Sequence, residues 1–326
     1  MDPGTLRRLA YAKRLHRLGE SLLKEDIAIQ NAQGIVMVDA VIETLLRTAL
    51  AYKGKVIDKK ERTFPQLVTQ VQNSGIFAEK PPNYKQLLEI HDVRNLIQHD
   101  GIFPDFAHVA WLADYARANV PIIVASAFGI EWKLISVAEL FKDNVTRELF
   151  KAGESFWAAN NFADAATCLV ACFERARVLE QTRMFGSLIG WKREIASLSE
   201  AAQDGKLEPI RDFLTSLHDD VEILKLRLDY KAYMKYRDIA SNTLSPWADW
   251  EPFMVDSSHQ VFENSKKLLA TDSRLPDTDY LKSDWLPFAF PFVENSILTW
   301  QSIERVGWVE LLLDAFAKFS KEKTAG

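Results

Sequence analysis

The stretch Tyr84-Lys85-Gln86-Leu87-Leu88-Glu89-Ile90-His91-Asp92-Val93-Arg94-Asn95-Leu96-Ile97-Gln98-His99-Asp100-Gly101 decides how the chain is read. Pro81-Pro82-Asn83 introduces it and Gly101 and Pro104 close it, the punctuation of a helix. Inside, Ile90, Val93 and Ile97 recur at spacings of three and four, so one face is apolar. On an ideal helix Asp92, Asn95 and His99 form the opposite, polar stripe. Alternation of β-branched residues, the mark of a strand, is absent from this stretch and unconvincing elsewhere.

The same periodicity extends in both directions. Upstream, residues 5–24 carry Leu6, Leu9, Leu15, Leu18 and Leu22 as an apolar stripe. A second helix is expected from about Asp26 to Tyr52, with Val36, Ala40, Ile42, Leu45, Leu46 and Leu50 facing a core. A short third helix spans about Phe64 to Asn73 and stops at Ser74-Gly75. Downstream, Asp105 can cap a fifth helix, which Pro121 should kink or end. Residues 129–142 are ambiguous. The pattern restarts at Lys142-Asp143-Asn144, which sets a domain boundary there, giving domains 1–142 and 143–326. Further helices are expected near 144–159, 162–184, 191–203, 207–217, 219–241, 256–270, 284–300 and 302–321. The fold class is all-α.

Composition narrows the class. The 326 residues are 48% hydrophobic and 26% charged, a globular mix that excludes disordered, collagen-like and coiled-coil chains. No apolar run reaches the ~20 residues of a membrane helix, and the start lacks a secretory signal's apolar core. Two cysteines make no disulfide framework, so a cytoplasmic location is expected. The net charge of −5 gives no global attraction for nucleic acid. Locally, Arg7, Arg8, Lys13, Arg14, Arg17 and Lys24 oppose only Glu20, and Lys53, Lys55, Lys59, Lys60 and Arg62 form a second basic stretch. Arg7, Arg8, Arg14, Arg17, Lys59 and Lys60 are candidate RNA contacts; the alternative is a solvated helix face and a lysine-rich loop.

Within 91–101, Arg94-Asn95 is followed by three residues and His99. Arg94 offers a permanent charge in a fork suited to phosphate oxygens. His99 lies in the last turn, where terminal carbonyls and the helix dipole favour the imidazolium, and can serve as a general acid–base. The pair is five residues apart, about 140° around a helix and ~7.5 Å along it. The two groups meet on one phosphate only if the helix deforms, Arg94 reaches around, or another subunit completes the site. The alternative is a capping histidine beside a salt-bridging arginine.

The motif, its placement on the fourth helix and the helix order over roughly residues 5–130 resemble the HEPN superfamily (higher eukaryotes and prokaryotes nucleotide-binding). Its ribonuclease members carry Arg-x4-6-His, often with Asn after the Arg. The resemblance implies an up-and-down helical bundle and a homodimer that pairs two motif helices in a composite cleft. It implies metal-independent RNA cleavage by attack of the 2′-oxygen on the adjacent phosphate. Arg94 would hold the phosphate, His99 would move the proton and Asn95 would orient them, with no cofactor or metal. Asp92, Asp39 and Glu43 are possible supporting polar members. A toxin–antitoxin or antiviral setting, with an inhibitory or activating protein partner, follows from the same resemblance. The chain departs from nucleotidylated HEPN toxins, which carry Tyr two residues after the His, where this chain has Gly101. The competing function is a non-catalytic helical RNA-binding or scaffold subunit.

The second half carries weaker signals. Tyr236 to Pro246 echoes Val93 to Pro104, with Arg237 matching Arg94 and Asn242 standing where His99 would be. A diverged HEPN-like bundle without its acid–base residue is one reading; an unrelated or partner-binding helical domain is another. Ala152 to Ala165 resembles a single tetratricopeptide repeat, too few for a solenoid. Cys168 and Cys172 lack companions at ligand spacing and belong on a buried helix face. His91 could flank the cleft without a motif role, and His16, His108, His218 and His259 form no cluster. Trp285, Phe288, Phe290, Phe292, Trp300 and Trp308 suit a core. Phosphate-binding glycine loops are absent.

Overall fold

Helix caps written in the sequence set the frame. Asp2 accepts from the Thr5 N–H at 2.9 Å and opens α1 (Pro3–Leu22). After α2 (Ala28–Tyr52), Thr63 and Gln66 form a reciprocal capping box on α3 (Phe64–Ser74), which Gly75 closes in the left-handed region at φ 70°. The fourth helix, α4 (Tyr84–Asn95), runs straight into a π turn, Leu96–Asp100. Asp105 caps α5 (Phe106–Phe128) through the Ala107 N–H. The computed structural model describes residues 1–24, 27–55, 63–77, 79, 81–185, 228–240, 253–271 and 278–302. Among them no strand occurs, so the all-α class holds. None of their helices is long and apolar enough to cross a membrane.

The chain divides into two units, Met1–Leu140 and Phe141–Gly326. In the first, α2 is the central element, packing against α1, α3, α4 and α5. Its broad buried face follows from its composition: Ile35, Val38, Val41, Ile42, Leu45, Leu46, Ala49 and Leu50 are all inside. Val36 and Ala40, expected in the core, are half-buried. The phase of α2 is set by close contact with α1 at Gly19 and Gly34, where a Cβ on Gly34 would lie 2.6 Å from Leu23 Cγ.

The inward face of α1 also differs from the leucine stripe. Leu9 is buried, but Leu6, Leu15, Leu18 and Leu22 are half-buried. The buried line instead includes Thr5, Lys13, His16 and Gly19. Lys13 pays its burial by donating to the backbone carbonyls of Lys133 and Ile135, and His16 packs edge-on against Trp132. Those partners sit in the formerly ambiguous 129–142 segment, which forms two 3-10 turns, Trp132–Leu134 and Val137–Leu140. Pro121 does not end α5; the helix continues through it to Phe128, and Val120, Ile123 and Val124 on either side are fully buried. Packing there outweighs the one hydrogen bond that proline forfeits.

In the second unit, Asp143 caps α6 (Asn144–Ala158) by accepting from the Thr146 N–H at 2.8 Å. A tight turn through Asn160 (φ 58°) leads to α7 (Phe162–Phe185). The longer of the remaining described helices are α8 (Tyr230–Ala240), α9 (Ser258–Thr271) and α10 (Leu286–Ser302), the last preceded by a π turn, Leu281–Trp285. α7 packs against α6, α9 and α10. The aromatic segment is core: Trp285, Phe290, Phe292 and Trp300 are buried, and Phe173 lies against Tyr236, Phe292 and Trp300. Cys168 and Cys172 are buried on α7. The helices expected near 191–203, 207–217 and 302–321 fall outside the described residues, as do Asn242 and Trp308.

Candidate functional site

The central helix carries a carboxylate in the wrong place for a simple core. Asp39 lies on α2 among apolar neighbours and is 2% exposed. Burial pushes its carboxyl above the usual range, and His91 and Arg94, both on α4, offset part of that. His91 Nδ1 sits 3.1 and 3.2 Å from the two Asp39 oxygens. Arg94 Nε is 3.7 Å from Asp39 Oδ2. His91 and Arg94 are three residues apart, so one face of α4 brings both to α2.

Neighbours lock this arrangement. Phe64, the first residue of α3, stacks on the His91 ring at 4.4 Å between centroids and 13° between planes. Arg94 Nη1 donates to Asn95 Oδ1 at 2.8 Å. Its Nη2 makes no hydrogen bond among the described residues, which leaves a free edge of the guanidinium. Glu43, one turn along α2 from Asp39, is engaged by Arg47 Nε at 2.8 Å.

These groups border an open cleft of about 450 Å³, within the size range of small-ligand sites. α4 supplies His91, Asp92, Arg94 and Asn95 to its wall. Glu43 of α2 and Thr63 to Pro65, at the start of α3, complete its lining. The cleft therefore combines a permanent cation, an amide and an imidazole backed by a buried carboxylate. Such a set can hold an oxyanion and move a proton. Among the described residues no three potential metal ligands come together.

The placement of the expected residues is uneven. Arg94, Asn95, Asp92 and Glu43 line the cleft, and Asp39 stands behind His91. His99 does not line it: the side chain is exposed and makes no hydrogen bond or ion pair among the described residues. Of the expected polar stripe, Asp92 and Asn95 thus line the cleft and His99 does not. His99 lies in the π turn, in which the Gly101 N–H bonds to the Leu96 carbonyl and the helix is wound more loosely than an α-helix. The looser winding narrows the 140° offset between Arg94 and His99 but leaves His99 beyond the cleft wall. Arg7, Arg8 and Arg17 are exposed on α1, Arg14 is half-buried, and none lines the cleft. Lys59 and Lys60 lie outside the described residues.

His91 is the cleft residue that motif reasoning undervalued. Its signal was the i, i+3 spacing to Arg94, matched by the i, i+4 spacing of Asp39 and Glu43 on the partner helix. No family model, curated protein or solved structure matches this chain.

Proposed function

We propose that the first unit is a metal-independent endoribonuclease site. The observation that carries this reading is the presence of Arg94 and Asn95 on one cleft wall beside an imidazole anchored to a buried carboxylate. The free edge of Arg94 suits a phosphodiester oxygen and the charge that develops on it during attack by the 2′-oxygen. His99 stands in water beyond the wall, flanked by the exposed apolar side chains of Leu96, Ile102 and Phe103. That exposure suits a second copy of the chain docking there, so that His99 of one copy serves the cleft of the other. An antiviral or toxin–antitoxin role, with RNA as substrate and a protein partner as regulator, accompanies this reading.

Arg94 contacting Asp39 within its own chain favours a second reading, a helical RNA-binding or scaffold subunit in which the arginine is structural. One experiment separates them. A pool of total RNA and tRNA is incubated in EDTA with wild type, Arg94→Ala and His99→Ala, each checked for helicity. Cleavage that survives chelation and falls by about 100-fold or more in both variants supports the enzyme. Equal cleavage by all three refutes the site, and RNA binding without cleavage supports the scaffold.

A further inference from the structure

We propose that His91 is the general base of this cleft, accepting the proton of the attacking 2′-hydroxyl, with Asp39 as its positioning residue. The inference rests on the ribonuclease reading. Both Asp39 oxygens face a single ring nitrogen, at 3.1 and 3.2 Å. A carboxylate only accepts, so Nδ1 carries the hydrogen and the lone pair of the neutral ring sits on Nε2. Among the described residues no hydrogen bond uses Nε2. Phe64 stacked at 4.4 Å resists rotation of the ring away from this pose. A buried acid, an oriented imidazole and a free Nε2 are the parts that make a histidine an effective base in hydrolytic triads.

Placement supports the same role. His91 and Arg94 share the Asp39 carboxylate and line one cleft, so base and phosphate clamp flank the same bound linkage. His99 of the same chain does not line that cleft. In the step, Nε2 takes the 2′-hydroxyl proton while O2′ bonds to phosphorus and the P–O5′ bond breaks. The departing 5′-oxygen receives a proton from the His99 imidazolium of the facing copy. The products are a 2′,3′-cyclic phosphate and a 5′-hydroxyl end, and the two histidines divide base and acid between them.

The test uses the full chain and an RNA oligonucleotide containing one linkage mapped in the tRNA digest, made with a bridging 5′-oxygen or 5′-sulfur. A thiolate leaves without a proton, so sulfur rescues the loss of an acid and not the loss of a base. His91→Gln is expected to lower cleavage of the oxygen linkage by about 100-fold or more, with no rescue by sulfur, whereas His99→Ala is rescued. In wild type, ¹⁵N NMR is expected to show the His91 ring protonated at Nδ1, and Asp39→Asn to mix the tautomers. Cleavage by His91→Gln within about threefold of wild type, or its rescue by sulfur, overturns the assignment of the base. An Nε2-protonated neutral ring in wild type overturns it independently of any variant's folding. A wild type that cuts no RNA overturns the ribonuclease reading and the base with it.

Discussion

Replacing Arg175 by methionine is expected to loosen the second unit at two separate places. The guanidinium is 4% exposed. Nε and Nη2 each donate to Asp143 at 3.3 Å, and Nη1 donates to the carbonyls of Phe253 and Val255 at 2.7 and 2.8 Å. Methionine keeps much of the apolar stem but removes all four bonds and strands the acceptors. Removing one partner of a buried ion pair costs about 3–5 kcal/mol. Asp143 retains 27% side-chain exposure, so water replaces part of what is lost and the lower end applies, about 3 kcal/mol. For a unit of this size that is a fall in Tm of about 6–12 °C. Two units need not melt together, so the assay is local: hydrogen exchange over Asn144–Ala158 and around Phe253, where protection should drop in both. The sign with pH follows from Asp143. Burial pushes its carboxyl up, but hydrogen bonds from Arg175 and Thr146 outweigh this and hold it below the ordinary 3.8. Its contribution is complete above 3.8 and is lost as pH falls through the lowered value, so the gap between wild type and Arg175→Met should narrow on acidification. Unchanged protection in both segments, or a Tm within about 2 °C of wild type, would refute the reasoning.

Gly34→Ala is expected to destabilise the first unit. The new Cβ would lie 2.6 Å from Leu23 Cγ and 3.1 Å from the Gly19 carbonyl, and overpacking of about 1–3 kcal/mol exceeds the helix-propensity gain of at most about 1. A lower urea midpoint measures it, and an unchanged or higher midpoint would show that α1 yields freely. Burial raises the Cys168 thiol to about 12 and also pushes Cys172 up, so neither should react with a thiol reagent in the folded chain at neutral pH. Both should react at once in guanidinium; rapid labelling of the native protein would show that α7 opens.

Much of the frame was legible because its signals are local. Asp105 does cap the helix it precedes, and Gly75 and Gly101 do sit in the left-handed region at helix ends. The polar contents of the core were not legible, because their reasons lie far away in sequence. Lys13 is buried on account of carbonyls some 120 positions downstream, and Asp39 meets His91 across 52. No periodicity within either helix announces those partners. The cleft was half-visible: Arg94, Asn95, Asp39 and Glu43 stood out by residue type, whereas His91 needed its partner's location. The π turn has no composition of its own and could be anticipated only as the helix deformation that Arg94 and His99 would require.

That turn also bears on how such a motif should be counted. A spacing of Arg-x4-6-His is measured in residues, while a cleft is assembled in angles. Between Asn95 and Gly101 the backbone holds more residues per revolution than an α-helix does, so sequence distance and rotation come apart there. A chain one residue shorter at this point, wound as plain α-helix, would present its histidine at nearly the same bearing. A motif search that fixes the interval therefore discards chains of equivalent shape. In this chain the elements around the interval are fixed instead: Gly101 in the left-handed region shortly after His99, and Asp39 on the central helix facing Arg94.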